Sequence, residues 1–447
     1  EMAAIPSNVE PSNGGGSFDS MPLNNDTPSA ARCKDWLTLF SFSLNSAFNA
    51  FLSMNFQVVN ALTREVLGVH DDEVALLYSG MLLTVFFGMP IGLALVLWWE
   101  GAGLCLSVTM NALCALVRWV GVRRRRYDLA LVSAVLSGVG AWTILPMPAQ
   151  LSEQRFPPQQ RTFTTSLAVQ ANYTGWMLGC LLVPLAVCDA VSLEAFLGCQ
   201  AAFSAVVLGV FLGCYWPAPT SSSSNAAGVA AFEGGAPLQH SARGSSGGLQ
   251  EFVRVLRMHP SVGVQILAYG ILGGVSFAVP GSNDAILSYS DFSPHITAWV
   301  NIAFIGAGVL SGLTLGLKCN DPAQYGSVLK ALFLLCMAAL TGLAAVVVLG
   351  RHLYSRRLQL GAVLGLSVTA GATSIGFIGI GIEAAASFPA RGTYVCFSVE
   401  LVVQLVGAVL AQLSCNKDGF ITFAAATWLA GALLLAGYRR PGEGGAI

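Results

Sequence analysis

Apolar runs of about 20 residues recur along this chain, and a run of that length matches the roughly 30 Å of hydrocarbon in a bilayer. They fall at 36–58, 75–98, 102–121, 129–150, 163–187 and 192–215, then at 260–282, 294–316, 325–349, 359–382, 393–415 and 419–438. Six runs, a gap and six more predict an all-α membrane protein: twelve transmembrane helices in two six-helix bundles. Composition agrees, since only 10% of residues are charged and 54% are hydrophobic, against about 25% charged in soluble domains. A net charge of −1 leaves no basic surplus for a nucleic-acid partner, and none is expected.

Two regions break the apolar pattern. Residues 1–31 are Gly/Ser/Pro-rich and are expected to form a disordered tail. Residues 217–258 read as a flexible cytoplasmic linker that ends in a short amphipathic helix, with Leu249, Phe252, Val253 and Leu256 on one face. The expected domains are therefore bundles at 32–216 and 259–438, the linker between them, and a tail at 439–447. Two bundles around a central site, joined by a long linker, are the layout of a major facilitator. Basic residues slightly favour both termini on the cytoplasmic side, although the run Arg123 to Arg126 opposes this. The eleven cysteines form no CxxC pair, and no metal site, cofactor or enzymatic cluster is expected.

Polar groups inside such spans are costly, so each is either functional or a hydrogen-bonded link between helices worth about 0.6 kcal/mol. The first run places Asn45, Asn49, Ser53, Phe56 and Asn60 on one stripe, with Phe48 and Phe51 beside it. That stripe suits a cavity wall or interhelical glue equally well. The fifth run offers Gln170, Asn172 and Tyr173 beside Gly175 and Gly179. The seventh offers Tyr269, Phe277, Asn283 and Asp284 around Pro280, where the helix is expected to break; Asp284 either joins the site or sits at the aqueous end. Glu383 closes the tenth run as a surface carboxylate or gate partner, and Arg118 ends the third, where it either snorkels or acts in gating. Inside the eleventh, Glu400 and Gln404 lie four apart and share a helix face. A carboxyl at that depth must be neutral, paired or wetted, and a proton-coupling role is expected for it.

These positions resemble the feline leukaemia virus subgroup C receptor-related (FLVCR) family, including its "disrupted in renal carcinoma" member. "PAQLSEQRFPP" is similar to the family's Pro-to-Trp-Phe-x-Pro linker after the fourth segment, with Arg155 in place of Trp. At the family's Gly-Asn-Gln-x-Gly, Asn172 and Gly175 match and Tyr173 replaces the Gln. "AYGILGGVSF" resembles the start of the seventh segment through Tyr269 and Phe277, and Asp284 falls where members carry Asn or Asp. Gln404 and Gly407 match the eleventh segment, with Glu400 where Asn is usual; Asn111 and Arg118 match the third, and "EGAGL" is a reduced facilitator loop. The first-segment Trp of the family aligns with Ala50.

The resemblance implies a transporter of a small organic solute by alternating access, with choline, ethanolamine, haem or a vitamin-like solute as cargo. The expected substrate contacts are Asn49, Phe51, Asn172, Tyr173, Tyr269, Phe277, Asp284 and Gln404, with Glu400, Glu383 and Arg118 in coupling or gating. The expected partners are that solute, a lipid bilayer and a coupling proton, for a monomer in the plasma membrane or an organelle membrane. A non-transporting receptor or scaffold with the same fold is the alternative.

Overall fold

A computed structural model describes residues 29–216, 245–319, 321–353, 355–386, 392–414, 416 and 418–438. Of the expected tails and linker, residues 1–28, 217–244 and 439–447 lie outside the described residues. The N-terminal bundle contains α1 (Ser29–Ser53), α2 (Asn60–Leu67), α3 (Asp71–Trp98), α4 (Glu100–Arg123), α5 (Tyr127–Ile144), α6 (Pro148–Arg155), α7 (Pro158–Ala186) and α8 (Ala190–Cys214). After α9 (Ser245–Met258) come α10 (Pro260–Ser288), α11 (Pro294–Lys318), α12 (Pro322–Leu353), α13 (Arg356–Ser374), α14 (Ile378–Ala386), α15 (Gly392–Leu413) and α16 (Gly419–Gly437). Several starts are legible in the sequence. Pro148, Pro158, Pro260 and Pro294 open α6, α7, α10 and α11, where the missing N–H has no helical partner to lose. Asp189 caps α8 by accepting from Ser192 N at 2.8 Å.

The protein is a multi-pass integral membrane protein. Ten spans among the described residues are long and apolar enough to cross a bilayer. Helices α1 and α7, 25 and 29 residues long, complete the set but carry more polar side chains than the others. Those two helices pack against each other, while α3 meets α15 and α7 meets α11 and α14 across the two bundles.

The helix breaks differ from the expectation. Helix α10 runs unbroken through Pro280. The proline leaves Ser276 O without its helical donor, and the neighbouring α11 grips this turn: Asn301 donates to Pro280 O at 3.2 Å and accepts from Asn283 at 2.6 Å. The chain breaks instead at 145–147, between α5 and α6, and at 375–377, between α13 and α14. These are the fourth spans of the two bundles, so the interruptions are equivalent by position. A third break, at 54–59, separates α1 from α2.

Candidate functional site

Beside the 145–147 break lies a cavity of about 20 Å³, room for about one water. Ser46, Ile144, Leu145, Pro148, Ala168, Val169, Asn172 and Tyr173 line it from the N-terminal bundle, and Phe277 and Glu400 from the C-terminal one. Its walls therefore come from both bundles.

Each end of the cavity is closed by different chemistry. On the side away from the linker, rings from both halves interlock. Tyr173 and Phe277 meet edge to face at 5.7 Å, Trp176 and Phe277 at 4.2 Å, and Tyr78 joins through Trp176 at 6.4 Å. The Tyr78 hydroxyl reaches Phe277 O at 3.4 Å, a loose hydrogen bond. On the linker side the halves are joined by hydrogen bonds. Thr393 donates to Gln150 at 3.0 Å, Gly392 N to Glu153 Oε1 at 3.1 Å, and Thr165 to Glu383 Oε1 at 2.7 Å; Thr162 and Tyr325 share a bond of 3.0 Å. Glu153 therefore places negative charge at the N-terminus of α15, where the helix dipole favours it. Phe252 of α9 stacks on Tyr394 beside this layer at 5.7 Å.

The polar side chains at the centre have few partners besides each other. Glu400 is only 7% exposed, and its Oε2 accepts no hydrogen bond. No ion pair among the described residues involves it. Gln404, one turn further along the same face of α15 and 1% exposed, lies beside the Glu400 carboxyl, but neither its Oε1 nor its Nε2 completes a well-aligned hydrogen bond. Each such atom costs about 1–3 kcal/mol when left buried without a partner.

The expected site residues separate into groups. Asn172, Tyr173, Phe277 and Glu400 line the cavity together, and Gln404 follows on the Glu400 face. Asn172 donates to Ser46 Oγ at 3.3 Å, which fixes α7 against α1. Asn49 faces the other way. It donates to Asn111 Oδ1 at 2.7 Å and to Ser137 O at 2.9 Å, while Asn111 donates to Asn45 at 2.9 Å. Phe51 packs against Phe196 at 6.1 Å, outside the ring cluster. Tyr269 sits in the C-terminal bundle among Phe333 and Phe377, with its hydroxyl on Gln265 at 3.3 Å. Asp284 is exposed in the last turn of α10. Glu383 belongs to the linker-side layer.

Arg118 does not snorkel. It is 3% exposed, donates to Leu52 O and to Ser133 Oγ at 3.2 Å, and lies over the Phe56 ring at 5.1 Å. Leu52 O is one of the carbonyls freed where α1 ends, so this cation closes a helix C-terminus. The sequence reading passed over Ser46, Tyr78 and Trp176. Trp176 lies four residues beyond Asn172 and three beyond Tyr173, so the helical period was the signal for it; Tyr78 carried none.

Because Asn49 bonds within its own bundle, Asn49→Leu should lower the melting temperature of purified protein. It strands Asn111 Oδ1 and Ser137 O at about 1–3 kcal/mol each. The half-saturating solute concentration should stay within about twofold, because the Asn49 side chain bonds Asn111 and Ser137 and not the cavity lining. A large change in that concentration at unchanged stability would move Asn49 into the site.

No family profile matches the chain. It is 22% identical over 374 residues to the choline/ethanolamine transporter FLVCR1 of Felis catus, covering 79% of this chain and 62% of that protein. The chain thus spans less than two thirds of that relative's length. In structure it resembles the human organic anion transporter MFSD10 (TETRAN), with TM-score 0.63, 15% identity, and 91% and 100% of the two chains covered. It also resembles the major facilitator FucP in its outward conformation, with TM-score 0.62, 14% identity, and 89% and 98% covered. Both structural likenesses establish the fold.

Proposed function

We propose, on the premise that this chain is an FLVCR-related member of the major facilitator superfamily, that it carries a small organic cation across its membrane by alternating access. The observation that supports this best is Glu400, a buried carboxyl with an unbonded oxygen, facing aromatic rings across the boundary between the bundles. A cation brings the missing charge, and ring faces add about 0.5–2 kcal/mol per good contact when desolvated. The relative's own cargo, choline and ethanolamine, is of this class. Haem, the other solute implied by the resemblance, finds no imidazole among the lining residues.

The cycle follows from the two closures. Parting the rings of Tyr78, Tyr173, Trp176 and Phe277 admits solute from one side. Breaking the bonds of Gln150, Glu153, Thr162 and Thr165 to the other half releases it on the linker side. Glu400 takes either the solute cation or a proton, which makes it the coupling group. The site needs different affinities in its two states and no covalent step.

Flux of labelled choline and ethanolamine into proteoliposomes tests the reading. The wild type should exceed empty vesicles, and Gln404→Ala should reduce flux about tenfold at equal protein incorporation, as expected for one lost polar contact of about 1.5 kcal/mol. Wild-type vesicles that move neither amine, from well-folded protein, would favour the scaffold instead.

A further inference from the structure

We propose that Glu400 and Gln404 make the site selective for an ammonium that carries N–H groups and a neighbouring hydroxyl, over a quaternary ammonium. This deepens the proposed function and rests on the cavity being the solute site. The unbonded atoms specify the complement. Glu400 Oε2 and Gln404 Oε1 are acceptors with no well-formed hydrogen bond, and the Gln404 amide, which lies beside the Glu400 carboxyl, keeps N–H capacity for a further acceptor. A primary ammonium supplies up to three N–H donors, and a hydroxyl two or three bonds away supplies the acceptor.

A quaternary ammonium answers only part of this demand. It meets the charge and the ring faces of Tyr173 and Phe277 but donates no hydrogen bond. Its neighbouring hydroxyl can donate to one of the two acceptors, and the other stays buried and unpaired. Sites built to bond a polar hydrogen reject the analogue that lacks it far more strongly than they reject a missing methylene. Size acts in the same direction. The closed cavity admits about one water, so three methyl groups demand more separation of the rings than a bare ammonium does. Charge alone cannot discriminate within this series, because every member is cationic at neutral pH. Directional bonding can.

The experiment is uptake into proteoliposomes at one pH of ethanolamine and its N-methyl, N,N-dimethyl and N,N,N-trimethyl derivatives. The half-saturating concentration should rise stepwise, by about tenfold or more from the first to the last, as expected for loss of a hydrogen bond to a charged group. Glu400→Gln should flatten the series to within about threefold, whereas Glu400→Asp should keep its order. A flat wild-type series, or a preference for the trimethyl compound, overturns the inference while leaving transport intact. An unaltered order in Glu400→Gln overturns the role of this carboxyl. Absence of flux for every member, from monodisperse protein, is a different result and counts against the proposed function itself.

Discussion

Gly175→Val will leave little folded protein. A Cβ at 175 would fall 1.9 Å from Ala47 O and 2.7 Å from Ala47 C, on the backbone of α1. Overpacking against mobile side chains costs about 1–3 kcal/mol, but a backbone carbonyl inside a helix cannot rotate aside, so the loss here should exceed that range. Helix α7 would have to lift from α1, taking the Asn172–Ser46 bond and one wall of the cavity with it. The other bundle repeats the device: a Cβ at Gly371 of α13 would meet Phe304 O of α11 at 1.9 Å. Gly371→Val should fail in the same way. Gly209 of α8 has nothing within 4 Å of the corresponding point, so Gly209→Val is the control. Yield of monodisperse protein and its melting temperature are the readouts. Normal folding of Gly175→Val would mean that α1 and α7 are not packed this closely.

Arg155→Ala should be the most damaging change on the linker side of the N-terminal bundle. The side chain is 3% exposed and joins four pieces of chain. It pairs with Asp35 of α1 and Glu100 of α4, each at 3.5 Å, and donates to Trp216 O at 2.6 Å. Tyr215 adds a bond to Glu100 at 2.6 Å. Removing one partner of a buried ion pair costs about 3–5 kcal/mol, and the lower end applies because Asp35 is a third exposed. Arg155→Lys should recover less than half of the loss, since one ammonium cannot span two carboxylates and a carbonyl. Thermal unfolding in detergent would check both. Equal stability of the Ala variant and the wild type would show that solvent replaces this cluster.

Which polar residues face the cavity was only half legible in the sequence. Glu400 and Gln404 were conspicuous because a carboxyl inside an apolar run has few inexpensive explanations. Asn45 and Asn49 looked the same by that criterion, yet they bond Ser107, Asn111 and Ser137 within their own bundle. A side chain in a bilayer is satisfied equally by water in a cavity or by a neighbouring helix, and no one-dimensional pattern separates the two. Proline misled for a related reason. The sequence marks the donor missing at Pro280 but not the grip of Asn301, 21 residues away along the chain, on the Pro280 carbonyl in the same turn. The actual breaks, at 145–147 and 375–377, are supported from outside their own helices: Gln170 of α7 donates to Ile375 O at 3.2 Å, and Cys396 of α15 to Leu145 O at 3.3 Å.

The sequence by itself determined that this chain crosses a membrane many times, in two blocks of six runs. Hydrocarbon demands about 20 apolar residues per helix, and that requirement is local. Tertiary structure alone decided which rings meet. Tyr78, Tyr173, Trp176 and Phe277 come from three helices spread over 200 residues of sequence (78 to 277), and their contact depends on how two bundles lean together. The same leaning leaves Glu400 and Gln404 buried with unbonded atoms, because satisfaction of a polar group is a property of its neighbours in space.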